Sequence, residues 1–201
     1  MPRRPFLAVA LLLLAAPVSA ANDAWSASHT YEAKGDFASA AAVLQRLITT
    51  PQPDEFALLR YAWLHYRAGN YTESVRAYER ALRINPASLD ARLGLVLPLL
   101  AQHRWNQAEE VLRQTLKEDP WHYTTHTQLM QVEEALQQWV PLARHARELQ
   151  RRYPSDATTL VYLARASRAL NDHRTARDAY RRVLQRYPAH AEASDWLKQN
   201  P

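Results

Sequence analysis

Four prolines, Pro86, Pro120, Pro154 and Pro188, stand 34 residues apart. Each closes a similar phrase: Arg-Ala-Leu-Arg-Ile-Asn-Pro at 80–86, Gln-Thr-Leu-Lys-Glu-Asp-Pro at 114–120, Glu-Leu-Gln-Arg-Arg-Tyr-Pro at 148–154 and Arg-Val-Leu-Gln-Arg-Tyr-Pro at 182–188. A proline just past a helix lacks the N–H that would continue it and fixes the turn that follows, so this spacing sets a structural period. A period of this length marks a stacked architecture in which each unit buries its apolar face only against its neighbours. Only 3 glycines occur among many Ala, Leu, Arg and Gln, and no stretch keeps a period-2 apolar pattern. Helices are therefore expected throughout, and a sheet is not.

Counting in steps of 34 gives units at 21–54, 55–88, 89–122, 123–156 and 157–190, with a tail at 191–201. Within 55–88 stand Leu58, Tyr61-Ala62, Gly69-Asn70-Tyr71, Ser74, Tyr78, Ala81-Leu82 and Pro86. This set resembles the tetratricopeptide repeat. The first unit keeps Gly35-Asp36-Phe37, Ala40, Leu44 and Leu47, with its end shifted to Pro51 and Pro53. The third keeps Leu95, Leu99, Trp105, Ala108, Leu112 and Leu116, and the fifth Leu160, Leu163-Ala164, Ala176, Tyr180, Leu184 and Pro188. The resemblance implies an all-α, right-handed superhelical solenoid of five helix-turn-helix repeats. Small residues such as Ala62, Ala108, Ala164 and Ala176 would let helices approach, and the tail, with Trp196 and Leu197, reads as a C-terminal capping helix over Ala191 to Gln199. The fourth unit departs most: Gln137 stands where Gly is usual, Leu142 where Ala is usual and Ala146 where a large ring is usual, which predicts an altered packing angle. Pro98 falls inside a first helix and is expected to kink it, whereas Pro141 falls in the first turn of a second helix and is tolerated there.

Residues 1–20 follow the order of a cleavable signal peptide: Arg3-Arg4, an apolar run from Phe6 to Ala16, then Pro17-Val18-Ser19-Ala20. The run of about 11 residues spans roughly 16 Å as a helix, short of the ~20 residues a bilayer core requires, so no stable anchor is expected after cleavage. The cut is placed after Ala20 or Ala21. The chain is thus expected to be exported, and periplasmic in a Gram-negative source. The general secretory route is expected, although Arg3-Arg4-Pro5-Phe6-Leu7 also resembles the twin-arginine motif. The absence of Cys excludes disulfides, a thiolate nucleophile and a Cys-ligated metal. Removing two leader arginines leaves 23 basic against 20 acidic residues, a charge too mild to imply nucleic acid.

In the resembled family the first helices of successive units line a groove. The positions this assigns to a partner are Trp25 and His29 in the first unit and Phe56, Leu59, Trp63 and Tyr66 in the second. Leu93 and Leu97 follow in the third, Gln131 in the fourth, and Arg165 and Arg168 in the fifth. The groove is therefore apolar in its first three units and polar or basic in its last two. Four such aromatics present more apolar area than soluble monomers usually leave wet, so a partner polypeptide is expected: an apolar or amphipathic segment with its acidic or C-terminal end toward Arg165 and Arg168. Relatives that clamp a C-terminal carboxylate use Lys and Asn where this chain has Leu59, Trp63, Leu93 and Leu97, which argues against that mode. The function implied is a scaffold or adaptor in assembling a cell-envelope complex, with a periplasmic holding chaperone as the alternative.

Signals of chemistry are few. His122 and His126 are four apart, as metal-binding pairs are, but neither a carboxylate nor a third His is placed in sequence to complete a set. No Gly-rich phosphate loop, nucleophile elbow or paired-acid arrangement occurs. No enzyme activity, metal or cofactor is expected. The fifth unit carries seven arginines against Asp172 and Asp178, a net +5. It reads either as a solvated outer face or as a surface for anionic lipid head groups, envelope polysaccharide or an acidic partner.

Overall fold

The computed structural model describes the backbone of residues 17–200 and the side chains of residues 23–200. The leader expected over 1–20 lies, for residues 1–16, outside the described residues, and its expected cleavage site falls within the first helix. The described residues form twelve helices and no strand. The first unit contributes α1 (Pro17–Ala33), α2 (Phe37–Ala42) and α3 (Gln45–Ile48). Four regular pairs follow: α4 (Glu55–Arg67) with α5 (Tyr71–Ile84), α6 (Leu89–Ala101) with α7 (Trp105–Glu118), α8 (Tyr123–Ala135) with α9 (Trp139–Arg152), and α10 (Ala157–Ala169) with α11 (His173–Arg186). Helix α12 (Ala191–Gln199) covers the end. Helix α6 continues through Pro98 to Ala101, and Pro141 sits in the first turn of α9.

Local chemistry fixes both ends of each first helix. The residue before it caps it: Asp54, Ser88, His122, Asp156 and His190 each accept a backbone N–H from the first turn. At the other end the chain enters the left-handed region at Gly35, Gly69, His103, Gln137 and Asn171, with φ of 76, 79, 56, 56 and 60°. The following N–H reaches back five residues, as in Asn70 N to His65 O (2.8 Å), Arg104 N to Leu99 O (2.9 Å) and Gln138 N to Glu133 O (2.8 Å). This is the doubly bonded C-terminal turn that satisfies orphan helix carbonyls. A glycine adopts it without cost, whereas a side chain at such a φ is held there by the packing on either side.

Stacking then follows from size at the crossings. Ser28, Ala62, Val96, Met130 and Ala164 share one position of the repeat, and Ala40, Ser74, Ala108, Leu142 and Ala176 another; all ten have no exposed surface. Where the residues are small, helices close to contact distance; where they are Met130 and Leu142, in the fourth unit, the two helices of the pair meet over less of their length than in the other units. That unit compensates elsewhere. Tyr78 of α5 lies over Gly94 of α6, so close that a Cβ at Gly94 would fall 2.3 Å from the ring. At the equivalent junction after α9 the sizes are reversed: Ala146 is buried, and Tyr162 of α10 packs against its cluster. The core comes in two parts, one running from α2 to α8 and one from Met130 to Trp196 of α12, meeting at α8.

The left-handed turns predict a difference that unfolding in denaturant will measure. His103→Gly and Gln137→Gly should each stabilise the chain by about 0.5–1 kcal/mol, Asn171→Gly by less, and Gly69→Ala should destabilise it by about 1 kcal/mol. Open space around Gly69 makes that last effect one of backbone alone.

Candidate functional site

The first helices α1, α4, α6, α8 and α10 carry the expected partner-facing residues. At the N-terminal end Phe56 is 60% exposed and its ring lies 5.3 Å from that of Trp25. His29 is exposed beside them. Trp63 is half-buried, with its ring 5.6 Å from Tyr66 and the Arg67 guanidinium 5.4 Å away on the other side. Beside it the Glu32 carboxylate takes Arg60 at 2.8 Å; burial opposes ionisation there, but the Arg60 bond and charge hold the Glu32 pKa below the usual value. Leu93 and Leu97 continue the strip, both half-buried. Trp25, Leu59 and Leu100 lean on the core cluster beneath, whereas Phe56, Trp63, Tyr66, Leu93 and Leu97 are not among the residues packed against it.

The C-terminal end is built differently. Arg165 reaches Glu192 of the capping helix at 2.6 Å and Glu134 of α8 at 3.2 Å. Arg168 donates to the Tyr180 hydroxyl at 3.1 Å, and that hydroxyl donates to Glu192 at 2.5 Å. The bonds from Glu192 raise the Arg165 pKa further above its ordinary value. Glu192 is held low by Arg165 and Tyr180 against the opposing effect of burial, while burial and the bond to Glu192 push Tyr180 up to about 12. With Trp139 and Trp196 these groups line a cleft of about 600 Å³. The expected landing point for a partner's acidic end is therefore already neutralised from within the chain: an incoming carboxylate would have to displace Glu192 or Glu134. Gln131 stands exposed on α8 without such partners.

The histidine pair resolves into two separate roles. His122 caps α8, with its ring Nδ1 accepting from Thr125 N. His126 is buried: its Nε2 meets the Pro120 carbonyl at 2.9 Å and its Nδ1 meets His145 Nε2 at 2.8 Å, and His145 Nδ1 reaches Glu133 at 2.9 Å. The pair is not completed as a set: His126 alone meets a second imidazole, His145 of α9, which in turn meets Glu133 of α8. The signal was available in the period, since His126 and Glu133 occupy positions that pack inward, where other units have Leu58 and Leu160 for the first and Leu99 and Ser167 for the second. Because a carbonyl and a carboxylate only accept, His126 carries a proton on Nε2 toward Pro120 and His145 one on Nδ1 toward Glu133, and the direction of the bond between the two rings depends on their tautomers. Among the described residues no group of three His, Asp or Glu is placed to hold a metal ion, and no helix is long and apolar enough to cross a membrane.

Comparison with known proteins agrees with this architecture. Three family models described as tetratricopeptide repeat match residues 26–88, 65–121 and 158–190, falling on either side of the divergent fourth unit. No curated protein matches the chain in sequence. Among solved structures, residues 41 to the end of MamA from Desulfovibrio magneticus RS-1 superpose with a TM-score of 0.76 at 16% identity, over 86% of this chain and 97% of that one. A tetratricopeptide repeat protein from Parabacteroides merdae gives 0.79 at 13% identity, over 88% of this chain and 70% of that one. Identities this low speak for the fold alone. The chain is an all-helical repeat solenoid with no catalytic constellation among its described residues. It belongs to the tetratricopeptide-repeat family and is a scaffold for protein–protein interaction.

The His126 site gives a pH dependence with a definite sign. Burial, the largest cause, lowers the His126 pKa below 6.5, and burial does the same to His65. A group that binds fewer protons folded than unfolded contributes stability that is whole above the unfolded pKa and is lost as pH falls through the lower folded value. The melting temperature should therefore fall as pH drops below 6.5, and His126→Leu should flatten that slope while leaving the part due to His65.

Proposed function

We propose that the protein is an exported, periplasmic adaptor that holds an apolar or amphipathic segment of a partner polypeptide along Phe56, Trp63, Leu93 and Leu97, in the assembly of a cell-envelope complex. The observation that carries this reading is the set of large apolar side chains on the first helices that stand outside the core cluster, Phe56 exposed and Trp63, Leu93 and Leu97 half-buried. Burying such aromatics on a partner is the usual source of binding energy at a protein interface, and Trp63 is held ready by its contacts with Tyr66 and Arg67. The order of residues 1–20 supports export.

A photocrosslinking side chain placed at Trp63 in living cells tests the proposal. One or two dominant adducts, lost in a Phe56→Ser/Leu97→Ser variant of unchanged helix content, are the expected result. A broad ladder of adducts identifies a holding chaperone instead, and no adduct above that of a site on the opposite face rejects the groove. Cell fractionation with sequencing of the mature N-terminus tests the export reading separately, with Ala21 or Asn22 expected as the first residue of a periplasmic form.

A further inference from the structure

The second helices carry a charge asymmetry that the fold does not demand. Helices α5 and α7 together hold five basic and five acidic residues. The equivalent α9 and α11 hold nine arginines, no lysine and two acids, Glu148 and Asp178. Four helices in the same structural role thus divide into a neutral pair and a pair of net +7.

Few of these charges are cancelled within the chain. Arg144, Arg151 and Arg181 are exposed and take part in no ion pair among the described residues. Arg147 has only Asp172, at 3.6 Å, with both partners largely in water. Arg182 and Arg186 are fixed without being neutralised: both donate to the Pro154 carbonyl, at 3.4 and 3.1 Å, and Arg182 also to Gln150 at 2.5 Å. Arg152 lies over the Trp121 ring at 4.7 Å. Held in this way, the Arg152, Arg182 and Arg186 guanidinium groups present fixed positive charge on the second helices, apart from the residues of the apolar strip, which lie on the first helices.

The edge where α9 and α11 end adds a second kind of group. Trp121 is 41% and Tyr187 60% exposed there, beside Arg152 and Arg186. Trp and Tyr rings favour the head-group level of a bilayer, and each basic residue near an anionic leaflet adds roughly a fivefold gain in binding.

We propose that the α9–α11 face docks on a bilayer surface rich in anionic phospholipid, leaving the first-helix strip open to its partner. This goes beyond the adaptor reading and does not depend on it. The combination of dispersed, un-neutralised arginines with interfacial aromatics at one edge favours a lipid surface over a soluble acidic protein.

Co-sedimentation of the purified protein tests this, using phosphatidylcholine vesicles with and without about three in ten phosphatidylglycerol; the neutral vesicles report any pull of the apolar leader. Binding confined to the anionic vesicles and weakened by salt is expected. An Arg144→Gln/Arg151→Gln/Arg181→Gln variant should bind roughly a hundredfold more weakly. An Arg76→Gln/Arg80→Gln/Arg83→Gln variant on α5, which loses the same charge, should bind as the parent does. Equal loss in both variants, absence of binding to anionic vesicles, or binding to soluble polyglutamate in its place would overturn the proposal.

Discussion

No helix pair in this chain can bury its apolar face alone, so the structure depends on the contact between one unit and the next. The shape each pair offers its neighbour is set by two inward positions whose ten residues, from Ser28 to Ala176, have no exposed surface. Their size decides how closely helices approach, and approach decides how much apolar area leaves water. The ends of the stack show the same constraint. Trp196 of α12 is 8% exposed against Tyr180, its ring 5.3 Å away, because without the capping helix the last unit would face solvent.

The proline period does more than stop helices. The carbonyls of the first three prolines receive a donor from a later unit: Arg92 to Pro86 at 2.5 Å, His126 to Pro120 at 2.9 Å, Arg182 and Arg186 to Pro154. In the third and fourth units the donor stands at an inward position that is Leu in the second and fifth. A charged or polar side chain is tolerated there because it satisfies a backbone acceptor that would otherwise be buried unpaired. Arg92 meets its second requirement, a counter-charge, in Glu118.

The repeat and its cap were legible in the sequence because both are local: proline spacing, capping residues and small inward side chains recur at fixed offsets. Gln137 stood out as a missing glycine, and the structure shows why, since its φ of 56° keeps the turn that glycine makes freely. The use of Arg165 was not legible. Its partner Glu192 lies 27 residues on in the cap, and only the superhelical stacking of α8, α10 and α12 brings Glu134 and Glu192 to either side of it. His145 was missed for the same reason, being scattered in sequence and adjacent only once α9 folds back on α8. Residues that meet within a helix or across one turn can be read by counting; those that meet across units require the packing angle.

The fourth unit gathers these exceptions into one place. Its helices share a polar seam of His126, Glu133 and His145 where the other regular pairs have apolar contact, and the two core clusters meet at its first helix. On one side lie the apolar strip and the balanced second helices, on the other the ion-paired cleft and the arginine-rich face. A seam of hydrogen bonds is directional and depends on which nitrogen holds which proton, whereas apolar contact tolerates sliding and no change of protonation. The Pro120 carbonyl and the Glu133 carboxylate at the seam's two ends only accept, so the 2.8 Å contact between the His126 and His145 rings holds as a hydrogen bond only for particular placements of the protons on the two imidazoles.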